Sequence, residues 1–402
     1  MATTDTIPEI HPAQLKAMID TDQPLYLIDV RSRADFERSK VEGRASLRTI
    51  NTPVSEMQNA TGLQGAEAVA EYARTRWAGQ IPQDGQVVVV CGKGVTSAMV
   101  AGALERLGYG AVSLAGGFEA WGNFYQFQPV VTGANLSIHQ VARPARGCLS
   151  YVVASQGEAV IVDPLRHYEQ YIDFAAQNGL KIVAVLDTHG HADHISGAPA
   201  IAKALSVPYY FHPYDAIHPI DVMPGDVEFE FLKDGATLAF GATQIQAIHI
   251  PGHTLGNLAY LVGDRHLLSG DSIFVESIAR PDLGGKGAEW SPIHYRSLSR
   301  LMTLSDETLV LPGHFSSPRE ANAAGFYGGT LGELKGKNEG LKVLLQGKEA
   351  FVQYLLGSLP TFPPQYIEIK RVNAGLLKPD EAKASELELG RNICALSQAY
   401  RQ

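Results

Sequence analysis

The sequence predicts an α/β chain of two domains: a parallel sheet with helices on both faces, then two sheets sandwiched between helical layers in αββα order. Three observations predict it. Up to about residue 128, short apolar runs alternate with helical patterns, as parallel strands joined by crossover helices require. From 137 onward, strands arrive in runs flanked by helices. The length, 402 residues, leaves room for two or three cores of roughly 100–200 residues each. The expected domains are 1–128 and 137–402, with a linker near 126–136 and a helical C-terminal extension.

Each element follows from its own residues. LYLIDV (25–30) is a short apolar run with an acidic end, as in a strand covered on both faces. Residues 64–78 have helical spacing. QVVVV (86–90) is the clearest buried strand, because successive β-branched side chains suit a pleated surface. TSAMVAGALERLGYG (96–110) is helical and stops at Gly108 and Gly110. AVSL (111–114) is a strand and FEAWGNFY (118–125) a helix. LSYVVA (149–154) and EAVIVDP (158–164) read as a hairpin, followed by a helix over 167–178, the strand KIVAVLD (181–187) and the helix GAPAIAKAL (197–205). Further strands are VPYYF (207–211), TLAFG (237–241), TQIQAIHI (243–250), NLAYLVG (257–263) and RHLLSGD (265–271). From about 316 the chain reads as helical and loop-rich, with a Pro-rich break at 359–366.

Composition narrows the function classes. Apolar residues make up 45% and charged residues 19%, as in a soluble globular protein. The net charge of −9 argues against nucleic acid or an anionic membrane as the main partner. No apolar run approaches the roughly 18 residues of a membrane span. The start, MATTDTIPEI, lacks the basic and apolar regions of a signal peptide. Three cysteines cannot build a disulfide framework, so a reducing, cytoplasmic setting is expected. Homo-oligomerisation stays open.

Cys91-Gly92-Lys93-Gly94-Val95-Thr96 directly follows the strand 86–90 and precedes a helix. Two glycines let successive N–H groups turn inward, and the helix N-terminus adds positive potential. Such a loop suits an anion and lowers a cysteine pKa, giving a thiolate nucleophile. A buried core cysteine at a strand end is the plainer alternative. The surroundings resemble a rhodanese domain over about 8–125, in LIDVRSRADFERSKVEGR (27–44), CGKGVTS (91–97) and LAGGFEAW (114–121). The resemblance implies that Cys91 carries a sulfane sulfur as a persulfide, with Lys93 and Thr96 on the same catalytic loop. Gly92 stands where thiosulfate-type loops hold a basic residue, as in mercaptopyruvate-type loops, so the donor is open between them. Thr96 stands where a cysteine-dependent phosphatase needs arginine, which argues against phosphoryl chemistry. Asp29 and Arg31 match family positions and are read as supports of the strand end.

A second cluster is richer in ligands. KIVAVLD runs into Thr188-His189-Gly190-His191-Ala192-Asp193-His194; later come His253, Asp271 and His314, each after a strand. Imidazole and carboxylate in such a set bind zinc, iron or manganese. The order resembles the metallo-β-lactamase fold over about 137–316, with Asp163 of VDP at a supporting position. The remaining histidines, His11, His139, His167, His212, His218, His249, His266 and His294, are read as surface or satisfied core groups. For Cys148, in RGCLSYVV, a place near the site is one reading and a small buried hydrophobe the preferred one; Cys394, in a C-terminal helical stretch, has no evident role.

The fold hosts many reactions. A dinuclear zinc thioester hydrolase of the glyoxalase II type would take His189, His191 and His253 on one metal, Asp193, His194 and His314 on the second, and Asp271 as bridge. All are present. Arg280-Pro281-Asp282, however, matches the Arg-x-Asp element of persulfide dioxygenases, and GKNEGL (336–341) and FVQYLLGSLPTFPPQYIEIKRVN (351–373) resemble bacterial members of that family. That resemblance implies one Fe(II) per chain held by His189, His253 and Asp271. His191, Asp193, His194 and His314 then orient ligands and water, and Arg280 and Asp282 are substrate-site candidates. Some members carry a tyrosine soon after the last histidine, where this chain has Phe315 and Ser316.

As a whole the chain resembles rhodanese–persulfide dioxygenase fusions. The expected enzyme oxidises glutathione persulfide with O₂ to sulfite and glutathione, and moves sulfane sulfur between thiosulfate or a persulfide and glutathione through Cys91. Joining both chemistries raises the local concentration of a labile intermediate. A zinc thioester hydrolase fused to a rhodanese domain, and a sulfur carrier or sensor with an idle metal site, are the alternatives.

Overall fold

Alternation of buried side chains within single strands organises the first part of the chain. The structure, a computed structural model, describes residues 7–83, 85–359, 361–390 and 392–396. Two units separate: one runs through Gln126 and includes Arg143–Arg146, and the other comprises Phe127–Ala142 and the chain from Gly147 on. In the first, β1 (Glu9–Ile10), β2 (Leu25–Asp29), β3 (Leu47–Asn51), β4 (Gln86–Val90) and β5 (Gly110–Leu114) form one sheet in the order β1-β5-β4-β2-β3, every pair parallel. The pleat of β4 sends Val87 and Val89 into a core with Val69, Val100 and Leu104, and Val88 and Val90 into another with Leu15, Leu27 and Trp121. Helices therefore cover both faces, as expected. Residues 64–78 are α-helical only over Gly65–Tyr72 and continue as one π-helical turn, Ala73–Trp77.

The second unit holds two six-stranded sheets. β6 (Gln126–Val131), β7 (Ser137–Arg143), β8 (Cys148–Ser155), β9 (Glu158–Val162), β10 (Lys181–Leu186) and β11 (Tyr209–Tyr210) lie in the order β11-β10-β9-β8-β7-β6. A ribbon pairs β12 (Ile217–His218) with β13 (Met223–Pro224). The second sheet runs in sequence through β14 (Thr237–Phe240), β15 (Thr243–His249), β16 (Leu258–Val262), β17 (His266–Gly270), β18 (Leu309–Pro312) and β19 (Gly329–Thr330). One apolar core joins the sheets: Val153, Val160 and Leu186 of the first meet Ile245, Tyr260 and Leu267 of the second, with Leu298 and Phe351 from helices Gly287–Leu301 and Lys348–Gly357.

The expected linker is corrected in part, since 126–131 form β6. Pro129 sits in this strand because β6 is an edge, where a missing N–H interrupts no central ladder. No helix among the described residues is long and apolar enough to cross a membrane.

Strand direction places the ligand-bearing loops. β15 and β17 are both antiparallel to β16, and β18 is parallel to β17, so β15, β17 and β18 end on the same side. His253, Asp271 and His314 follow those ends.

A buried phenol links the sheets. Tyr151 on β8 donates to the Pro312 carbonyl on β18 at 2.5 Å and accepts from Gln140 Nε2 at 3.1 Å. Tyr151→Phe takes this donor from the buried Pro312 carbonyl and leaves Gln140 Nε2 with the Tyr327 carbonyl alone; it should cost about 1–3 kcal/mol, read as a lower urea midpoint for the second unit.

Candidate metal centre and cysteine loop

β4 carries Cys91 to the end of its sheet, where the chain turns into the helix Val95–Glu105. The thiol is nearly buried; its sulfur accepts from Gly94 N at 3.1 Å and lies 3.2 Å from Ser97 Oγ. Ser97 Oγ is itself 2.9 Å from Ser113 Oγ. Burial alone would push the thiol pKa up. The Ser97 hydroxyl and the N–H groups of Ser97, Lys93 and Gly94 outweigh it, and the net shift is downward.

The loop is clamped from behind. Phe118 N donates to Cys91 O at 2.7 Å and Glu119 N to Gly92 O at 3.0 Å. Gly117, at φ 62°, makes this approach possible, since a Cβ there would sit 2.5 Å from Cys91 O. Lys93 and Thr96 are exposed on the loop, Lys93 with its ammonium 3.7 Å from Glu119. Asp29 grips Arg31 through two oxygens, at 3.0 and 2.6 Å, while the guanidinium lies over the Phe118 ring. Ser97 was not singled out by the sequence; its signal is its place as the last residue of CGKGVTS and the third of the helix.

The metal centre is built by fixing imidazole tautomers. His189 Nδ1 pairs with Thr188 Oγ1 at 2.9 Å, and that hydroxyl donates to Asp163 at 2.9 Å. His253 Nδ1 donates to the Arg280 carbonyl at 2.7 Å. Each Nε2 is thereby left bare. They point at one carboxylate oxygen: Asp271 Oδ2 is 3.8 Å from His189 Nε2 and 3.3 Å from His253 Nε2. All three atoms are buried without a hydrogen-bond partner. Unpaired buried polar atoms are costly, and three converging on one point fit a cation between them. Burial, then His191, pushes His189 well below the ordinary imidazole range. For Asp271 burial acts upward, but His314 and His253 outweigh it and hold the carboxyl well below its usual range. Neutral imidazole and ionised carboxylate are the ligand forms.

The other predicted ligands are tied largely to each other. His314 places Nδ1 2.6 Å from Asp271 Oδ1 and Nε2 2.9 Å from Asp193 Oδ2. Burial lowers its pKa, yet Asp193 and Asp271 together raise it well above the ordinary value. His194 Nδ1 is 3.3 Å from Asp193 Oδ1, and Cys148 Sγ 3.3 Å from Asp193 Oδ2. His191 Nε2 lies 3.2 Å from Asp163 and 3.5 Å from Asp187. His191 Nδ1 and His194 Nε2 remain unpartnered. Among the described residues four donor groups thus lie within coordinating reach: His189–His253–Asp271, Cys148–Asp193–His194–His314, Asp271–His314–Cys394 and Asp163–Asp187–His191.

Arg280 is fully buried and paired to Asp282 at 2.6 and 2.8 Å, and its contact with the metal centre is the carbonyl that orients His253. Cys394 departs from expectation. It lies in a non-helical segment bridged to Ala279, and its thiol comes within 4.8 Å of donor atoms of Asp271 and His314. Separations of 80 residues from His314 and 123 from Asp271 hid this. Among the other histidines, His294 is fully buried, and burial, then His253, lowers its pKa to about 3. Asp215, which carried no sequence signal, accepts from Gly190 N at 2.8 Å, Thr254 Oγ1 at 2.6 Å and Gly256 N at 2.9 Å, tying the His189 and His253 loops together.

Comparisons with known proteins follow the two units. Residues 11–124 match the rhodanese-like domain, and residues 143–314 match the metallo-beta-lactamase superfamily. An uncharacterized protein of Mycobacterium leprae, ML0493, is 34% identical over 42% of this chain and 87% of its own length. A hydroxyacylglutathione hydrolase of Xanthomonas oryzae is 36% identical over 40% of this chain and 58% of its own. Among solved structures, a metallo-beta-lactamase from Staphylococcus aureus superposes with a TM-score of 0.50 at 25% identity, covering 64% of this chain and 74% of that one.

Two outcomes follow from this geometry. Alkylation of Cys91 by iodoacetamide, read on the Cys91 peptide by mass spectrometry, should persist to lower pH than for an ordinary thiol; Ser97→Ala should move the profile's midpoint upward. Asp271→Ala removes the carboxylate shared by both bare imidazoles and should empty the protein of metal by elemental analysis. Asp193→Ala should retain most of it, and equal loss in the two variants argues against an isolated three-donor set.

Proposed function

Since the chain belongs to the metallo-beta-lactamase superfamily and carries a rhodanese-like domain ahead of that fold, we propose that it is a bifunctional enzyme of sulfur metabolism. Its second unit is a persulfide dioxygenase that converts glutathione persulfide, O₂ and water to glutathione, sulfite and two protons. Its first unit is a sulfurtransferase acting through Cys91. The observation that carries the reading is the set of two bare imidazole nitrogens and one bare carboxylate oxygen on His189, His253 and Asp271, on one chain with an activated cysteine. Two histidines and one carboxylate suit Fe(II), which supplies O₂ activation and a contact for sulfur when bound.

The chain's own residues do the rest. Thr188 and the Arg280 carbonyl hold the imidazoles in their ligand tautomers. His314 bridges Asp271 and Asp193 and fixes the carboxylate's orientation. Gly313 lets the chain pass Asp271 closely, since a Cβ there would meet Oδ1 at 2.5 Å. Burial of the whole set excludes bulk water from a reactive persulfide. In the first unit the Cys91 thiolate attacks the sulfane sulfur of thiosulfate, releases sulfite and becomes a persulfide; glutathione then takes the sulfur as glutathione persulfide and returns the thiolate. N–H groups of the loop stabilise the anion at both stages. In this reading residues 1–128 serve sulfur transfer and residues 137–402 oxidation.

A second reading has its own support. Cys148, Asp193, His194 and His314 could hold a second ion, and the Xanthomonas relative is named a hydroxyacylglutathione hydrolase. Two zincs and hydrolysis of a glutathione thioester would establish it.

The protein should hold about one iron per chain and consume oxygen with glutathione persulfide. Cys91→Ser should abolish sulfur transfer from thiosulfate and leave that oxygen uptake near the parent rate. Loss of both activities in a folded, iron-loaded variant would refute the two-site assignment.

A further inference from the structure

The loop that carries His189, His191, Asp193 and His194 belongs to no helix, leaves the ladder of β10 and is buried almost throughout. Buried N–H and C=O groups outside regular structure need partners from elsewhere. For this loop they come largely from beyond residue 314, where the superfamily match ends.

Three side chains of the C-terminal extension supply them. Asn373, the last residue of the helix Gln365–Asn373, donates from Nδ2 to His191 O at 2.9 Å and to His194 O at 2.8 Å. Its Oδ1 accepts from Ser196 N at 2.9 Å. Three backbone groups of the loop, two C=O and one N–H, are thus met by one carboxamide, which is both donor and acceptor. Lys370, one turn earlier and 7% exposed, donates from Nζ to Gly190 O at 2.6 Å. Glu388, just after the helix Glu381–Leu387, accepts from Ile195 N at 2.9 Å and is held from the other side by Arg166 Nε at 3.1 Å.

We infer that Lys370, Asn373 and Glu388 are positioning residues of the metal centre: the C-terminal extension clamps the backbone of residues 190–196 and so sets where the loop's side chains stand. The inference rests on the reading of His189, His253 and Asp271 as metal donors, and is independent of which metal or reaction they serve. Its physical basis is orientation. Replacing groups that hold ligand-bearing backbone typically lowers metal affinity about 10–100-fold without touching a ligand. Lys370 carries the sharper implication. A buried ammonium is expensive to hold, and burial lowers its pKa while the charges of Asp215, which ties the same loop at Gly190 N, and of Asp193 within the loop favour its charged form. Its position makes sense if the charge is part of the loop's scaffold.

The test uses the full-length protein loaded with Co(II), whose visible absorption reports ligand geometry, and challenged with EDTA. Asn373→Asp keeps the shape but sets a carboxylate oxygen against two carbonyls; Lys370→Met keeps the stem and removes the donor. Each should release metal on the order of ten- to a hundredfold faster than the parent, with an altered Co(II) spectrum. Arg371→Ala is the control, since Arg371 shares the helix but pairs with Asp221 at 2.6 Å. It should release metal at the parent rate. Parent-like release and spectra in both clamp variants would overturn the inference, and so would an equal acceleration in Arg371→Ala, which would make the effect one of general helix stability. Should Asn373→Asp fail to fold, Lys370→Met decides alone. Absence of oxygen uptake with glutathione persulfide would sink the dioxygenase reading and leave this measurement intact.

Discussion

A polar backbone buried to present metal donors is the constraint on which the second unit depends. Residues 188–196 must leave the regular ladder to turn four potential ligands inward, and they do so out of contact with water. Each N–H and C=O removed from water there needs a replacement partner. That requirement accounts for features that are otherwise unconnected. Asp163 adopts a left-handed backbone at φ 53°, unusual for a non-glycine residue, while its carboxylate receives Thr188 N at 2.6 Å and Thr188 Oγ1 at 2.9 Å. Asp215 is drawn from a loop 25 residues away to bind Gly190 N.

Both candidate sites use the end of a buried strand as a rigid mount. In the first unit β4 is fixed by apolar packing on both faces, so Cys91 enters its loop from a well-held point. There the anion is sustained by N–H groups and a hydroxyl. In the second unit four strand ends converge, and the donors are set by hydrogen bonds to the far nitrogen of each imidazole. One site tunes a pKa by aiming dipoles, the other by choosing tautomers. The difference follows from the chemistry: a thiolate needs stabilised charge, whereas a metal needs bare lone pairs.

Much of this was legible in the residues. Val87 to Val90 announce a strand covered on both faces because β-branched side chains with no polar alternation fit nothing else well. The candidate ligands were legible for a similar reason: His189, His191, Asp193 and His194 are close in sequence, and His253, Asp271 and His314 each follow an apolar run. Elements with weak patterns were not. β3 is a half-buried edge whose residues LRTIN alternate imperfectly, and β1 and β19 are two residues long. Residues 126–131, with Pro129, read as a linker although they form an edge strand.

The sequence by itself determined which side chains could be ligands and nucleophile, and that two units of α/β character would present them, because residue chemistry and periodicity are local properties. Tertiary structure alone decided the partition of those ligands. Only in space do His189, His253 and Asp271 form a set with unpaired atoms, while His314, equally eligible by type, is engaged by Asp271 and Asp193. Only there do Asn373 and Lys370 arrive beside a loop some 180 residues earlier in the chain, and Cys394 beside Asp271 and His314. Hydrogen bonding and burial depend on distance through space, and no spacing along the chain encodes which of two distant segments will supply a partner.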